Sequence, residues 1–376
     1  PVSVYSSSEA SLRDNYVLTD DFYGAEYGVS YKDSSVPAID LAVGRLVETP
    51  KHMLTQIRAY LELTGGVINP PGSLNTFVTG YDFLDDAAHA IEEELADGTG
   101  IAPDTLISPY GLSPLASPEN PDPNFPGEFP WTGPDLLDRL KENDRQLIFL
   151  AGHFSAGSAL AADFRTGITT SDFLEVAGDP DDPNDPGSWK NGIVYSAGCH
   201  SGYSIVDEHA TPFTQQPDWA SAFASSGAVL IGGTGYQFGD TQFLEYSERL
   251  YLYFTEQLRA DTGAEVSIGQ AMVAAKQQYL AETPLMRGLH QKALIEATIY
   301  GLPMLAVDMP NRDNGNGSDP EVTSLIPVTQ FPGTNLGLRT ASLTLTPNWA
   351  GAQRTVDLKN VNGPGSITAS WLAGPD

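Results

Sequence analysis

The sequence predicts a mixed α/β fold, a mostly parallel sheet with helices on both faces, followed by a small β-sandwich. Three observations carry that expectation. Short runs of β-branched and aromatic residues alternate with stretches of helical periodicity through about residue 305. Two of those runs break off into small residues, where open α/β sheets place their chemistry. Beyond residue 319 the helical pattern vanishes and alternating, β-rich stretches replace it.

Residues 16–23 read as a strand ending in two acids, and 40–46 as a second short strand with a glycine kink. Thr49 is an N-cap and Pro50 the first residue of a helix. Met53, Ile57, Tyr60 and Leu61 keep helical spacing to about Leu63, and Gly65 and Gly66 stop it. Residues 75–81 are the next strand and 83–95 an acidic amphipathic helix. Residues 102–134 are rich in Pro and Ser and read as a long ordered loop or flap, long enough to cover a site. A helix over 133–142 leads into a strand at 147–150. An acidic loop at 178–189 precedes the strand 193–195. Then come a helix at 217–226, a buried strand in 227–235 and helices over 243–260 and 266–280. The segment 292–305 ends in the turn Tyr300-Gly-Leu-Pro303. Residues 311–319 read as a linker, which divides the chain into 1–310 and 311–376, the second a sandwich or the first strands of one.

Hydrophobic residues make up 41% of the 376, enough for a sizeable core. The 48 acids against 19 bases leave a net charge of −29, which argues against nucleic acid and anionic membranes as partners. A solvated acidic surface is the plain reading of that charge; calcium binding, a salty habitat or basic substrates are the sharper ones. The single cysteine excludes an internal disulfide and leaves the compartment open. No apolar run is long enough to span a membrane and no signal peptide is recognisable. The start at Pro1 leads us to expect a piece of a longer, multidomain chain.

The stretch 192–202 holds that cysteine. Ile193, Val194 and Tyr195 form the strand, Ser196, Ala197 and Gly198 follow, then Cys199, His200, Ser201 and Gly202. The glycines let a substrate approach the backbone and leave amide N–H groups for an oxyanion. The stretch 145–157 has the same form and delivers His153 at its strand end, 46 residues upstream of Cys199, a spacing found in cysteine peptidases. Alone, Cys199 reads as a small buried hydrophobe and His153 as a core histidine. Together, at matching strand ends, they read as nucleophile and base. His200 points the other way in an extended segment and reads as a wall residue, with Tyr203 beside it. Asp179, Asp181, Asp182 and Asp185 offer the oxygens calcium needs, and Asp313, Asn316 and Asp319 alternate more weakly. Solvated Asp-Pro turns are the bland alternative. A zinc site from Cys199, His200 and His209 matches no ligand pattern.

The 40–46 strand with its Thr-Pro-capped helix resembles the gingipain-type (C25) cysteine peptidases. So do the His153 and Cys199 strands, the Tyr300-Gly-Leu-Pro-Met304 turn and the β-rich tail. The resemblance covers most of residues 10–310. It implies a caspase-like peptidase domain (clan CD) followed by an immunoglobulin-like domain, and a secreted or cell-surface location. It implies that Cys199 attacks the carbonyl of a protein or peptide substrate and His153 carries the proton, with no cofactor for the chemistry. The backbone at Gly198–Cys199 and the amide of Phe154 would form the oxyanion hole. The family usually has glycine after this histidine, and a bulky Phe154 there narrows the site or alters one donor. A preference for a basic P1 residue would place Asp163 or Asp172 at the pocket base; both read equally well as surface acids. Two alternatives stand beside this: a non-catalytic scaffold that keeps the fold and binds a partner or calcium, and a transpeptidase using the same dyad.

Overall fold

A computed structural model describes residues 2–3, 16–31, 34–70, 72–142, 145–180, 189–204, 217–241, 243–260, 262–283 and 285–312. The β-sandwich expected in the tail falls beyond these, as do Asp181, Asp182, Asp185, His209, Asp313, Asn316 and Asp319.

Seven strands build the main sheet: β1 (Gly44–Arg45), β2 (Thr76–Gly80), β3 (Asp104–Ile107), β4 (Leu147–Leu150), β5 (Ile193–Ser196), β6 (Val229–Gly233) and β7 (Ala297–Tyr300). Their order across the sheet is β1-β7-β6-β5-β4-β2-β3. The five strands from β6 to β3 are mutually parallel. β7 runs antiparallel to β6, and β1 runs parallel to β7.

Among the described residues, eight helices accompany the sheet: α1 (Pro50–Glu62), α2 (Asp85–Thr99), α3 (Gly133–Lys141), α4 (Thr170–Val176), α5 (Trp219–Ser225), α6 (Tyr246–Leu258), α7 (Ile268–Ala281) and α8 (Gly288–Glu296). The α1 start is as its residues dictate: Thr49 accepts a hydrogen bond from the His52 N–H, and Pro50 opens the helix. Successive strand residues point to opposite faces, so the strands divide between two cores. Val78, Phe149, Tyr195 and Ile231 pack with Leu95, Leu250, Phe254 and Tyr279 on one face. Phe77, Ile148, Val194 and Leu230 pack with Leu136, Phe173, Trp219 and Phe223 on the other. Burial on both faces accounts for the unbroken apolar runs of β4, β5 and β6.

Several local expectations are corrected. The 16–23 strand is only Tyr16–Val17, followed by a 3-10 turn at Asp21–Tyr23. A hairpin of Ala25–Tyr31 with Ser34–Ile39 occupies a stretch the sequence pattern left unassigned. The 102–134 segment is not wholly loop, since β3 lies within it. Beyond His153, Phe154–Ser155, Ser158–Leu160 and Gly167–Thr169 form a small antiparallel sheet. The 292–305 segment holds the end of α8 and then β7.

Candidate active site

Strand register gathers the site. Thr79 of β2, Leu150 of β4 and Ser196 of β5 lie in one row across three adjacent parallel strands. Three residues beyond that row, on each strand in turn, come Asp82, His153 and Cys199. An acid, an imidazole and a thiol therefore line up along the carboxyl edge of the sheet, where such folds bind their ligands.

Side chains from the end of β2 hold the histidine. Thr79 Oγ1 accepts the Ala151 N–H at 3.1 Å, and the Tyr81 hydroxyl accepts the His153 N–H at 3.0 Å. His153 Nε2 lies 3.0 Å from Asp82 Oδ2. A carboxylate can only accept, so the contact puts a proton on Nε2 and leaves the Nδ1 lone pair of the neutral ring for another group. The rings of Tyr81, Phe83 and Phe164 surround the imidazole at centroid distances of 5.6, 5.8 and 5.5 Å. The side chain stays 37% exposed, open to a substrate.

The thiol is set differently. Cys199 is half-buried, and its Sγ donates to the carbonyl oxygen of Gln237 at 3.7 Å. Burial pushes the thiol pKa up, and the Glu296 carboxylate pushes the same way. The segment that follows is bonded to the β6 end: the His200 N–H donates to Gly235 O at 2.7 Å and Gly202 N–H to Gly233 O at 2.9 Å. His200 stands edge-on to Tyr236 at 4.5 Å and to Tyr203 at 5.9 Å.

The bulky Phe154 packs against the segment that carries the cysteine. Its ring turns under the nucleophile segment, against Gly198, and reaches Trp219 with centroids 6.0 Å apart. Leu160 N–H bonds to His153 O, so by antiparallel alternation the next pair, Phe154 with Ala159, is a non-hydrogen-bonded one. The Phe154 N–H accordingly points out of its hairpin. The Cys199 N–H has no acceptor among the described residues apart from its own sulfur. Two amides flanking the dyad are thus left for an oxyanion.

Asp163 and Asp172 each make hydrogen bonds within their own segment. Asp163 closes a turn, its carboxylate accepting from Arg165 N–H, Thr166 N–H and the Thr166 hydroxyl. Burial raises its pKa, but those hydrogen bonds outweigh it and hold the group below the usual carboxylate range. Asp172 closes the capping box of α4 with Thr169, whose N–H and hydroxyl donate to it at 2.7 Å and lower its pKa. Of the calcium candidates only Asp179 falls among the described residues, and no group of three or more His, Cys, Asp or Glu there could hold a metal ion. No described helix is long and apolar enough to cross a membrane.

Three non-glycine residues beside the dyad, Asp82, Phe164 and His200, adopt positive φ at 56°, 53° and 56°. Each such conformation costs on the order of 1–3 kcal/mol, and such strain concentrates at functional sites. Asp82 is the residue that reading the sequence missed. Its local signal is only an acid two residues past the end of its strand, where His153 and Cys199 stand three past theirs, so the alignment of the three emerges from strand register alone.

The mostly parallel sheet and its flanking helices form a mixed α/β fold that solved structures share. Solved structures with this fold include the Arg-specific cysteine proteinase gingipain R, with a TM-score of 0.52 and 14% identity over 78% of this chain and 60% of that one. The complex of the pro- and mature domains of RgpB from Porphyromonas gingivalis gives a TM-score of 0.51 and 14% identity over 81% of this chain and 63% of that one. The chain therefore spans less than two thirds of the length of either. No family model and no curated protein matches the sequence.

Proposed function

We propose that this chain is a cysteine-type peptidase acting through an acyl-enzyme. The observation that carries the reading is the row of Asp82, His153 and Cys199 on three adjacent strands. Asp82 holds the imidazole by Nε2. The Nδ1 lone pair takes the thiol proton as sulfur attacks the peptide carbonyl, and later returns it to the leaving amine. The Cys199 and Phe154 N–H groups receive the oxyanion. Water, or an amine in a transpeptidase, then releases the acyl group. The thiol must first leave the Gln237 carbonyl.

A basic P1 preference, a secreted or surface location and an immunoglobulin-like tail belong to this reading as analogy with the gingipain-type fold, and calcium at the acidic loop 178–189 rests on the carboxylate oxygens its sequence offers. Asp163 and Asp172 remain the candidates for the base of a basic P1 pocket; both accept local hydrogen bonds, in a turn and in a helix cap.

A second reading, a scaffold that keeps the fold and binds a partner or calcium, draws on one observation: the thiol is bonded to Gln237 rather than to His153. Labelling by peptide acyloxymethyl ketones decides between the two. We would compare P1 Arg, Lys and Phe probes on the wild type, Cys199→Ala and His153→Ala, with calcium and with chelator. Labelling of the wild type alone supports the peptidase, and the preferred probe reports the pocket. No labelling under any condition, including after limited proteolysis, supports the scaffold.

A further inference from the structure

Tyr81 sits at the hairpin that begins with His153. The facing pair there is His153 with Leu160, and an antiparallel pair of this kind exchanges two backbone hydrogen bonds. One is present: Leu160 N–H donates to His153 O at 2.9 Å. The other is replaced. The His153 N–H donates to the Tyr81 hydroxyl at 3.0 Å, and that hydroxyl donates to Leu160 O at 2.7 Å.

We infer that Tyr81 is a positioning residue for the candidate dyad, its hydroxyl wedged into the 153/160 pair to set where the imidazole stands. The inference rests on the peptidase reading of Cys199 and His153.

The surroundings of Tyr81 fit a fixed wedge. Its side chain is 1% exposed. Trp131 meets its ring edge-on at 5.2 Å and Phe164 at 5.5 Å. Gly152 has φ +151°, and a Cβ there would lie 2.4 Å from the Tyr81 ring, so only glycine lets the ring come this close. Burial raises the phenol pKa, so the hydroxyl keeps the proton it donates to Leu160. The residue after Tyr81 is Asp82, which holds the other end of His153. One short segment thus fixes the histidine backbone through Tyr81 and its ring through Asp82. Opening the pair at 153 also shapes the hairpin that turns the Phe154 N–H outward.

Tyr81→Phe removes the hydroxyl and keeps the ring. We expect the maximal inactivation rate with the best ketone probe to fall about 10- to 10²-fold. The half-saturating probe concentration should change less than about twofold, because the wedge touches no substrate. Trp131→Phe perturbs the packing of the same ring but keeps the hydroxyl, and should label at close to the wild-type rate. Equal rates for Tyr81→Phe and wild type would overturn the inference, as would equal losses in the two variants. A second readout needs no chemistry: slow hydrogen exchange at the His153 amide in the wild type and fast exchange in Tyr81→Phe. If the wild type fails to label, the peptidase reading fails, and this exchange still decides whether Tyr81 holds His153. Fast exchange already in the wild type overturns the inference whether or not Tyr81→Phe folds.

Discussion

The ring of Phe154 occupies the place of a side chain at Gly198: a Cβ built there would lie 2.3 Å from Cγ of Phe154 and 2.6 Å from its Cβ. The residue after the histidine and the residue before the cysteine are therefore a complementary pair, one large and one absent. Phe154 is accommodated because position 198 has no side chain, and the ring packs on towards Trp219 and the core cluster around it.

Gly198→Ala should accordingly lose about 1–3 kcal/mol of stability by overpacking. The atoms it meets lie near the backbone of Phe154, where a rotamer change gives little relief. In a Phe154→Ala background the same alanine should cost much less. Urea unfolding midpoints of the four proteins measure the coupling. Agreement of the two Gly198→Ala effects within about 0.5 kcal/mol would show that the positions are independent and the pairing wrong.

Asp82→Asn tests the third member of the row. Asparagine keeps the shape but can offer His153 Nε2 either its amide NH₂ or a neutral oxygen, so the ring loses its fixed tautomer. The inactivation rate should drop by up to about 10⁴-fold, the loss that follows when the orienting acid of a triad is neutralised. The fold should survive, because Asp82 is at the sheet edge. An Asp82→Asn protein labelled at the wild-type rate removes Asp82 from the machinery and leaves a simple dyad.

The thiol should react as a weakly acidic one. Burial and the Glu296 carboxylate both raise the pKa of Cys199, so iodoacetamide alkylation of the resting protein should climb steeply only above neutral pH. Removing the charge with Glu296→Gln relieves one of the two causes, and the alkylation profile should shift to lower pH. Glu296 also accepts from the Gln237 side chain at 3.3 Å, so the glutamine is chosen to keep a hydrogen-bonding group there. A profile that does not move, or moves to higher pH, would mean that the Glu296 charge does not reach the sulfur.

What was legible in the sequence follows from range. The α1 start was readable because Thr49 and Pro50 act on their immediate neighbours. The His153 and Cys199 edges were readable because a strand followed by small residues is also a local pattern. Asp82 was not, because its role exists only through the register of β2 against β4, set by residues 71 apart in the chain. The cap at Asp172 was legible too, because Thr169 and Asp172 have the spacing of a capping box. The hairpin over 25–39 went unseen because Gly28, Ser30, Ser35 and Pro37 interrupt its apolar alternation, and its outer strand is largely exposed.

Glu248 links the site wall to pH. The loop after β6 carries the Gln237 carbonyl that receives the thiol, and it is held from below by Glu248, whose Oε2 accepts from Asp240 N–H at 3.1 Å and Glu245 N–H at 3.2 Å. Burial pushes this carboxyl from its usual 4.5 up to about 9, and the Asp86 and Asp240 charges add to it. The folded chain therefore keeps the Glu248 proton across neutral pH, while the unfolded chain releases it above about pH 4.5. Folding binds a proton throughout that window, so this group's stabilisation is full below pH 4.5 and is lost as pH rises towards 9. The slope is at most about 1.4 kcal/mol per pH unit. Glu248→Gln cannot ionise in either state and should remove it. Wild type and variant should have similar urea midpoints near pH 5, and the variant should be the more stable by pH 8. Other buried acids, Asp218 and Glu256 among them, titrate in both proteins and cancel in the difference. Parallel curves from pH 5 to 8 would mean that Glu248 is ionised in the folded chain, and that the two backbone N–H groups outweigh its burial.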